Sequence, residues 1–216
     1  MKKQLITCMF AFMLLFSTSF SIANAEGRPA VPQRDCINQS VIQLKYPMQR
    51  LWIEHAWWTR SYIVSSLAGL KDQKHVLARL LQNQVELGDI IKPYYGEQAG
   101  NKLTALLKEH ILIAGKIVEA AKAGDKAKVT QFNKDWFRNA DQIVTFLASA
   151  NPNWNKKALT DMFYTHLKLT AAELEDRLKG DWTGDIKTAD TNEVHLIHMG
   201  DFITDGIVKQ FPNRFK

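Results

Sequence analysis

Three histidines at nearly equal spacing are the residues of this sequence best suited to chemistry. His55, His110 and His166 lie 55 and 56 residues apart, and each falls in a stretch where apolar residues recur at intervals of three and four. Neutral imidazoles from neighbouring helices suit zinc, copper or iron. A carboxylate would complete such a site, and three acids are candidates: Asp141, Asp201 and Glu173. The spacing therefore predicts a transition-metal site inside a helical bundle.

A second interpretation of the histidines needs no metal. An imidazole buried without a hydrogen bond costs on the order of a few kcal/mol, so each histidine requires a polar partner. The residues eleven positions before three prolines are candidate partners, which pairs His55 with Gln82, His110 with Asp141, and His166 with Asp201. In this interpretation the pairs are structural braces, and the protein is a structural or partner-binding bundle.

Two further histidines, His195 and His198, lie three residues apart, and Asp201 follows three residues later. On a helix all three share one face, which makes them a candidate surface metal site or a solvated polar face.

Enzymatic activity is the third hypothesis. The sequence contains no Gly-x-Ser-x-Gly, no His-Glu-x-x-His and no glycine-rich phosphate loop after a strand. No catalytic residue is therefore predicted.

Helices must position these residues, because no segment reads as a strand of useful length. Apolar stripes and their end signals predict helices from just after Pro47 to Gly69, then at about 72–92, 97–123, 125–150 and 155–179, with a sixth that ends near Gln210. The chain is predicted to be an all-α bundle of about six helices in three antiparallel hairpins.

A weak threefold repeat accompanies these helices. Pro93, Pro152 and Pro212 each precede an aromatic residue within three positions, and they lie 59 and 60 residues apart. Two of the histidines also open the same pattern, His55-x-x-x-Thr59 and His166-x-x-x-Thr170. Equal spacing is typical of repeated units, although helical hairpins also resemble one another by chance.

The N-terminus predicts export. Residues 1–25 combine two lysines, an apolar run and Ala23-Asn24-Ala25, as in a signal peptide. Residues 26–45 are predicted to be a flexible leader that contains Cys36, and residues 46–216 a single helical domain. With the signal removed Cys36 is the only cysteine, so no intrachain disulfide can form. The predicted location is periplasmic or secreted.

Charge and composition limit the partners. The formal net charge of +6 falls to +4 without Lys2 and Lys3, and the remaining lysines are scattered, so nucleic-acid binding is not expected. No stretch after the signal is apolar enough to predict a membrane span. We therefore expect an extracytoplasmic binding protein, with a metal ion as the leading ligand and a protein partner as an alternative.

Five motifs resemble a family of small secreted bacterial all-helical proteins. They are Leu51-Trp52-x-x-His55-x-x-Trp58-Thr59-Arg60, Lys92-Pro93-Tyr94-Tyr95-Gly96, Leu106-Leu107-Lys108-x-His110-Ile111, Ala150-Asn151-Pro152-x-Trp154 and Gln210-Phe211-Pro212. The family has no assigned activity, and some members carry the names glycosyltransferase or acetylglutamate kinase. Both activities need nucleotide-binding α/β folds, which this sequence does not predict. The resemblance therefore implies no functional residues.

Overall fold

A computed structural model describes residues 38–216, which fold into six α-helices and contain no strand. The helices are α1 (Gln39–Ala68), α2 (Gln73–Asp89), α3 (Lys92–Lys122), α4 (Lys126–Ala150), α5 (Lys156–Lys179) and α6 (Trp182–Gln210), and a short 3₁₀ turn follows at Pro212–Phe215. The predicted all-α class is confirmed. The predicted signal peptide, Cys36 and the leader up to residue 37 lie outside the described residues.

The six helices form three antiparallel hairpins, as the sequence predicts: α1 with α2, α3 with α4, and α5 with α6. The hairpins close into a ring, because α2 packs on α3, α4 packs on α5, and α6 returns to pack on α1. The seam between α4 and α5 is the least extensive of these contacts. The first helix of each hairpin carries one of the three histidines.

Helix ends follow local side-chain chemistry. Asn38, Asp125, Asn155 and Asp181 each accept a hydrogen bond from a backbone N–H in the first turn of α1, α4, α5 and α6, respectively. Gly180 ends α5 in the left-handed conformation, with φ 74°. The cap at Asp181 starts α6 at Trp182.

The predicted start of α1 after Pro47 is wrong. The helix begins at Gln39 and contains Pro47, so the part of the expected flexible leader from residue 39 to residue 45 is helical. Proline removes one backbone hydrogen bond inside a helix. Burial of Leu44 and Met48 on either side of it, each at most 4% exposed, offsets that loss.

The third helix also begins earlier than predicted, at Lys92 rather than near residue 97. Its first turn is separated from the rest by Gly96, whose backbone (φ 84°, ψ 167°) only glycine adopts readily. The predicted start is therefore the point where regular helix resumes.

Within residues 38–216, none of the helices is long and apolar enough to cross a membrane.

Candidate functional site

The structure brings the three histidines together in the core. Each is 3% exposed, and the Nε2 atoms of His55 and His166 lie 3.4 Å apart. The ring centroids are 5.3 Å apart for His55 and His166, and 6.5 Å apart for His110 and His166. Imidazoles from three separate hairpins therefore form one cluster, which we call the histidine cluster.

Each histidine is held through Nδ1 by an amide from the second helix of its own hairpin. Asn139 accepts from His110 at 2.8 Å, and Asn192 accepts from His166 at 2.9 Å. At His55 the amide nitrogen of Gln84 approaches Nδ1 at 3.2 Å. The braces that the sequence predicts within each hairpin therefore exist, but with other partners.

The predicted partners Gln82, Asp141 and Asp201 are wrong for a geometric reason. Gln82 and Asp141 each lie two residues from the amide that is used, which is about 200° around a helix. Asp201 lies nine residues from Asn192, which again amounts to about half a turn. Counting back eleven residues from each proline identified the correct helix but a residue on its opposite side.

The hydrogen-bond partners fix a consistent set of protons. Gln84 Nε2 donates one proton to the carbonyl of Leu80 at 2.9 Å and shares the other between Asn83 Oδ1 at 2.9 Å and His55 Nδ1 at 3.2 Å, so His55 Nδ1 accepts. His55 then carries its proton on Nε2 and donates to His166 Nε2, and His166 donates from Nδ1 to Asn192. Asn192 donates in turn to Thr170 Oγ1 at 3.1 Å. A directed chain of hydrogen bonds thus runs from Gln84 to Thr170.

His110 stands outside this chain. Its Nδ1 donates to Asn139, so Nε2 carries a lone pair, and that atom has no hydrogen-bond partner in the described part of the chain. Its ring packs against Trp136, with centroids 5.2 Å apart. The core therefore contains one imidazole nitrogen that is free to bind a ligand.

A second contact recurs in all three hairpins and supports the weak repeat. The carbonyl four residues before each histidine, at Leu51, Leu106 and Met162, accepts from a side chain of the facing helix. The donors are Asn83, Asn139 and His195, at 2.9, 3.2 and 2.8 Å. The third hairpin uses His195 where the first two use asparagine.

Burial keeps the histidines neutral. Burial, followed by repulsion from His166, lowers the pKa of His110 to about 3, and burial lowers that of His166 to about 4. The pKa of His55 is also well below its usual value, first through burial and then through its two histidine neighbours. All three imidazoles are neutral at pH 7, which is the form that binds metals.

The predicted carboxylate ligands lie elsewhere. Asp141 is exposed and accepts from the hydroxyl of Tyr164 at 2.9 Å, whereas Asp201 pairs with Gln49 at 2.6 Å and with Lys45 at 3.3 Å. Neither aspartate hydrogen-bonds a histidine. Between residues 38 and 216, no group of three or more His, Cys, Asp or Glu side chains is placed to hold a metal. His195 and His198 with Asp201 do not form one either.

Glu173 belongs to a separate ion-pair network that joins α1, α5 and α6. Arg60 donates to Glu173 at 3.0 Å and binds Asp185 through two bonds of 2.6 and 2.9 Å, and Arg177 donates to Asp185 at 2.7 Å. Burial raises the pKa of Glu173 to about 7, although Arg60 opposes the shift. This carboxyl group is therefore harder to ionise than an exposed glutamate.

A cleft of about 150 Å³ leads from solvent toward the histidine cluster. It is bounded by Trp57 on α1, which is 61% exposed, and by Ile186 on α6. Asn192, which binds His166, is part of its lining. Three carboxylates line it as well: Glu173, Asp190 and Glu193. Arg60, which is paired with Glu173, also lines the cleft, so Asp190 and Glu193 give the lining a net negative charge, and Asn192 connects it to His166.

The sequence contained a signal for the amides that we missed. Gln84 lies four residues after buried Leu80, and Asn139 and Asn192 lie four residues before buried Ile143 and Leu196 on their helices. A polar residue at a position of the apolar stripe indicates a buried hydrogen-bond partner.

Comparison of the chain with family models, curated proteins and solved structures found no match.

Proposed function

We propose that this protein is an extracytoplasmic helical bundle that binds a transition-metal ion at the histidine cluster. The observation that carries the proposal is the 3.4 Å separation of the Nε2 atoms of His55 and His166. A tetrahedral metal bound at 2.0–2.1 Å holds two nitrogen ligands about 3.3 Å apart. The pair therefore has the spacing of two imidazoles on one metal ion.

The surroundings of the pair support the same function. Metal-binding imidazoles are commonly oriented by a hydrogen bond at their other nitrogen, and here Gln84 and Asn192 occupy Nδ1 of His55 and His166. The free Nε2 of His110 is a third nitrogen in the same cluster. Nitrogen donors without carboxylates favour zinc, copper or iron over magnesium or calcium.

Cation access is part of the proposal. The cleft between Trp57 and Ile186 carries Asp190 and Glu193, neither of which forms an ion pair within the described residues. Exposed carboxylates raise the local concentration of cations. Arg60 in the same lining is paired with Glu173, so these two carboxylates leave the cleft with a net negative charge.

A second candidate function is a structural or partner-binding bundle, and the directed hydrogen-bond chain favours it. Both nitrogens of His55 and of His166 are already used in that chain without a metal. Metal binding requires His55 to give up its Nε2 proton or to move it to Nδ1, and Gln84 must then present its oxygen. The free energy of metal binding must exceed the cost of this rearrangement.

Elemental analysis separates the two functions. The mature protein is purified from its native compartment without a polyhistidine tag, and it is analysed alongside His166→Gln and a control, His75→Gln. His75 is exposed on α2 and bonds none of the three histidines. We expect near-stoichiometric metal in the wild type and in the control, and little in His166→Gln.

A thermal melt with and without chelator completes the test. A ligand that binds only the native state stabilises it, so chelator lowers the Tm of the metal-loaded protein. Absence of metal together with an unchanged melt contradicts the metal function and leaves the brace. Metal retained in His166→Gln contradicts the assigned ligand.

Location is tested independently. N-terminal sequencing of the protein from the periplasmic or culture fraction is expected to begin at Glu26. A protein that retains its first 25 residues contradicts export with cleavage.

A further inference from the structure

The cleft between α1 and α6 combines apolar side chains with carboxylates. Trp57 on α1 and Ile186 on α6 line it and are 61% and 54% exposed, so both keep a large apolar surface in contact with solvent. Ala56 and Ala189 complete the apolar part of the lining. Exposed apolar side chains that are grouped at a concave site, rather than scattered over the surface, are typical of ligand binding.

A buried carboxyl group forms part of the same lining. Glu173, on α5, is 3% exposed. Its Oε1 atom accepts from Arg60 at 3.0 Å, whereas Oε2 makes no hydrogen bond within residues 38–216 and is not sealed from solvent. Because Glu173 lines the cleft, Oε2 can accept a hydrogen bond from a donor bound there.

The charges around the cleft favour a cation. The ion-pair network beside it is balanced, because two arginines face Glu173 and Asp185. Asp190 and Glu193 also line the cleft, and neither forms an ion pair in the described part of the chain. Their charges are therefore unbalanced, so the cleft attracts cations and repels anions.

The apolar part of the lining distinguishes between kinds of cation. A metal ion needs several ligand atoms at short distance and gains nothing from an indole or an isoleucine, and no described residues of the cleft form a group placed to hold one. An organic ammonium ion uses both parts, because its alkyl groups pack on apolar side chains and its charge is attracted to the face of an indole and to carboxylates. The cleft volume of about 150 Å³ equals that of about five water molecules, so the ligand is small.

We propose that this cleft is a binding site for a small organic ammonium ion. Trp57 and Ile186 cover the alkyl groups of the ligand, and Asp190 and Glu193 balance its charge. Glu173 Oε2 accepts a hydrogen bond from a hydroxyl or N–H group of the ligand. The site is separate from the histidine cluster, and the inference does not depend on the metal proposed above.

Choline is a suitable probe, because it carries a quaternary ammonium group and a hydroxyl donor. Neohexanol is its uncharged isostere, with a carbon atom in place of the nitrogen. Metal-free mature protein, freed of chelator, is titrated with each compound and with glucose, and calorimetry measures the affinities. We expect saturable choline binding and at least about tenfold weaker binding of neohexanol, which lacks the charge. No choline binding, equal binding of neohexanol, or a preference for glucose overturns the proposal.

Variants then test the position of the bound choline. Trp57→Leu is expected to weaken choline binding about two- to fivefold. Asp190→Asn combined with Glu193→Gln is expected to weaken it about fivefold or more. Trp182→Leu is the matched control, because Trp182 is 58% exposed and also on α6 but packs on Arg177 outside the lining of the cleft. Full affinity in either cleft variant, or a loss in Trp182→Leu as large as in Trp57→Leu, contradicts binding in the cleft.

Discussion

The amide of Asn139 satisfies two buried groups at once. It accepts from Nδ1 of His110 and donates to the carbonyl of Leu106. Asn139→Ala would leave both groups unpaired in the core, where each costs about 1–3 kcal/mol. We expect a loss of about 2–4 kcal/mol in the free energy of unfolding, measured by denaturant titration.

Asn133→Ala is the control for that change. Asn133 lies on the same helix, is only partly buried, and makes no side-chain hydrogen bond in the described region. We expect its substitution to alter stability by no more than about 0.5 kcal/mol. Equal effects of the two substitutions would show that the brace contributes nothing.

Stability is expected to fall as the pH is lowered from about 6.5 toward 3. The unfolded chain binds protons at its histidines below their usual pKa of about 6.5, whereas burial lowers the native pKa of His166 to about 4 and of His110 to about 3. Acid therefore favours the unfolded state, and the histidine contribution is complete only above pH 6.5. Each pKa unit of difference corresponds to about 1.4 kcal/mol.

Glu173 acts in the opposite direction, because its native pKa of about 7 exceeds that of an unfolded glutamate. Its contribution is present below about pH 4.5 and is lost as the pH rises to 7. Denaturant titrations of the metal-free protein across pH 3–8 measure the balance. A flat profile would contradict neutral, buried histidines, and Glu173→Gln should steepen the rise between pH 4.5 and 7.

At the scale of the helix, Pro47 is the clearest conflict between local preference and fold. Proline inside a helix costs about 3 kcal/mol relative to alanine. Pro47 lies within α1, whereas Pro93 occupies the first turn of α3, where its missing N–H is harmless. We expect Pro47→Ala to raise the free energy of unfolding by about 1–3 kcal/mol.

Pro93→Ala is the paired control. It frees the unfolded chain without adding a helical hydrogen bond, so we expect no gain and a loss of up to about 1 kcal/mol. Thermal melts of both variants measure the contrast. A lower Tm for Pro47→Ala would show that the proline fits α1 without cost.

The helices could be predicted because neighbouring residues determine where each one begins and ends, whereas the histidine cluster could be predicted only in part. Apolar stripes and caps such as Asp125 and Asn155 fix elements through neighbouring residues. The start of α1 was missed because tertiary burial of Leu44 outweighs the proline. The contact between His55 and His166 joins residues 111 positions apart, and no local pattern fixes which sides of two helices will face each other.

At the scale of the whole molecule, the ring of hairpins is least tightly packed between α4 and α5. The α4–α5 seam is the least extensive contact, and a groove of about 520 Å³ runs along it, lined by residues such as Val129 and Leu178. Regions with few packed contacts open at lower free energy. We expect native-state hydrogen exchange to show α4 opening at lower denaturant concentration than α1.

Both helices are followed in the same experiment. The first helix, α1, serves as the reference because it contacts both α2 and α6 over long stretches. Opening of α1 before α4 would contradict the inference that weak packing between α4 and α5 lets α4 open first. An opening at α4 would also expose the ring of His110, since Asn139 and Trp136 both lie on that helix.

The paired histidines and amides also bear on which fold the sequence selects. Leucine and isoleucine stripes fit each other nearly as well after a slide of one helical turn, about 5.4 Å, so apolar packing alone discriminates poorly between alignments. A slide within any hairpin would separate an imidazole from its amide and leave both buried without partners. Three such pairs, one in each hairpin, give the two helices of each hairpin a single low-energy alignment. A core that is polar at its centre thus widens the energy gap between the native arrangement and its shifted competitors.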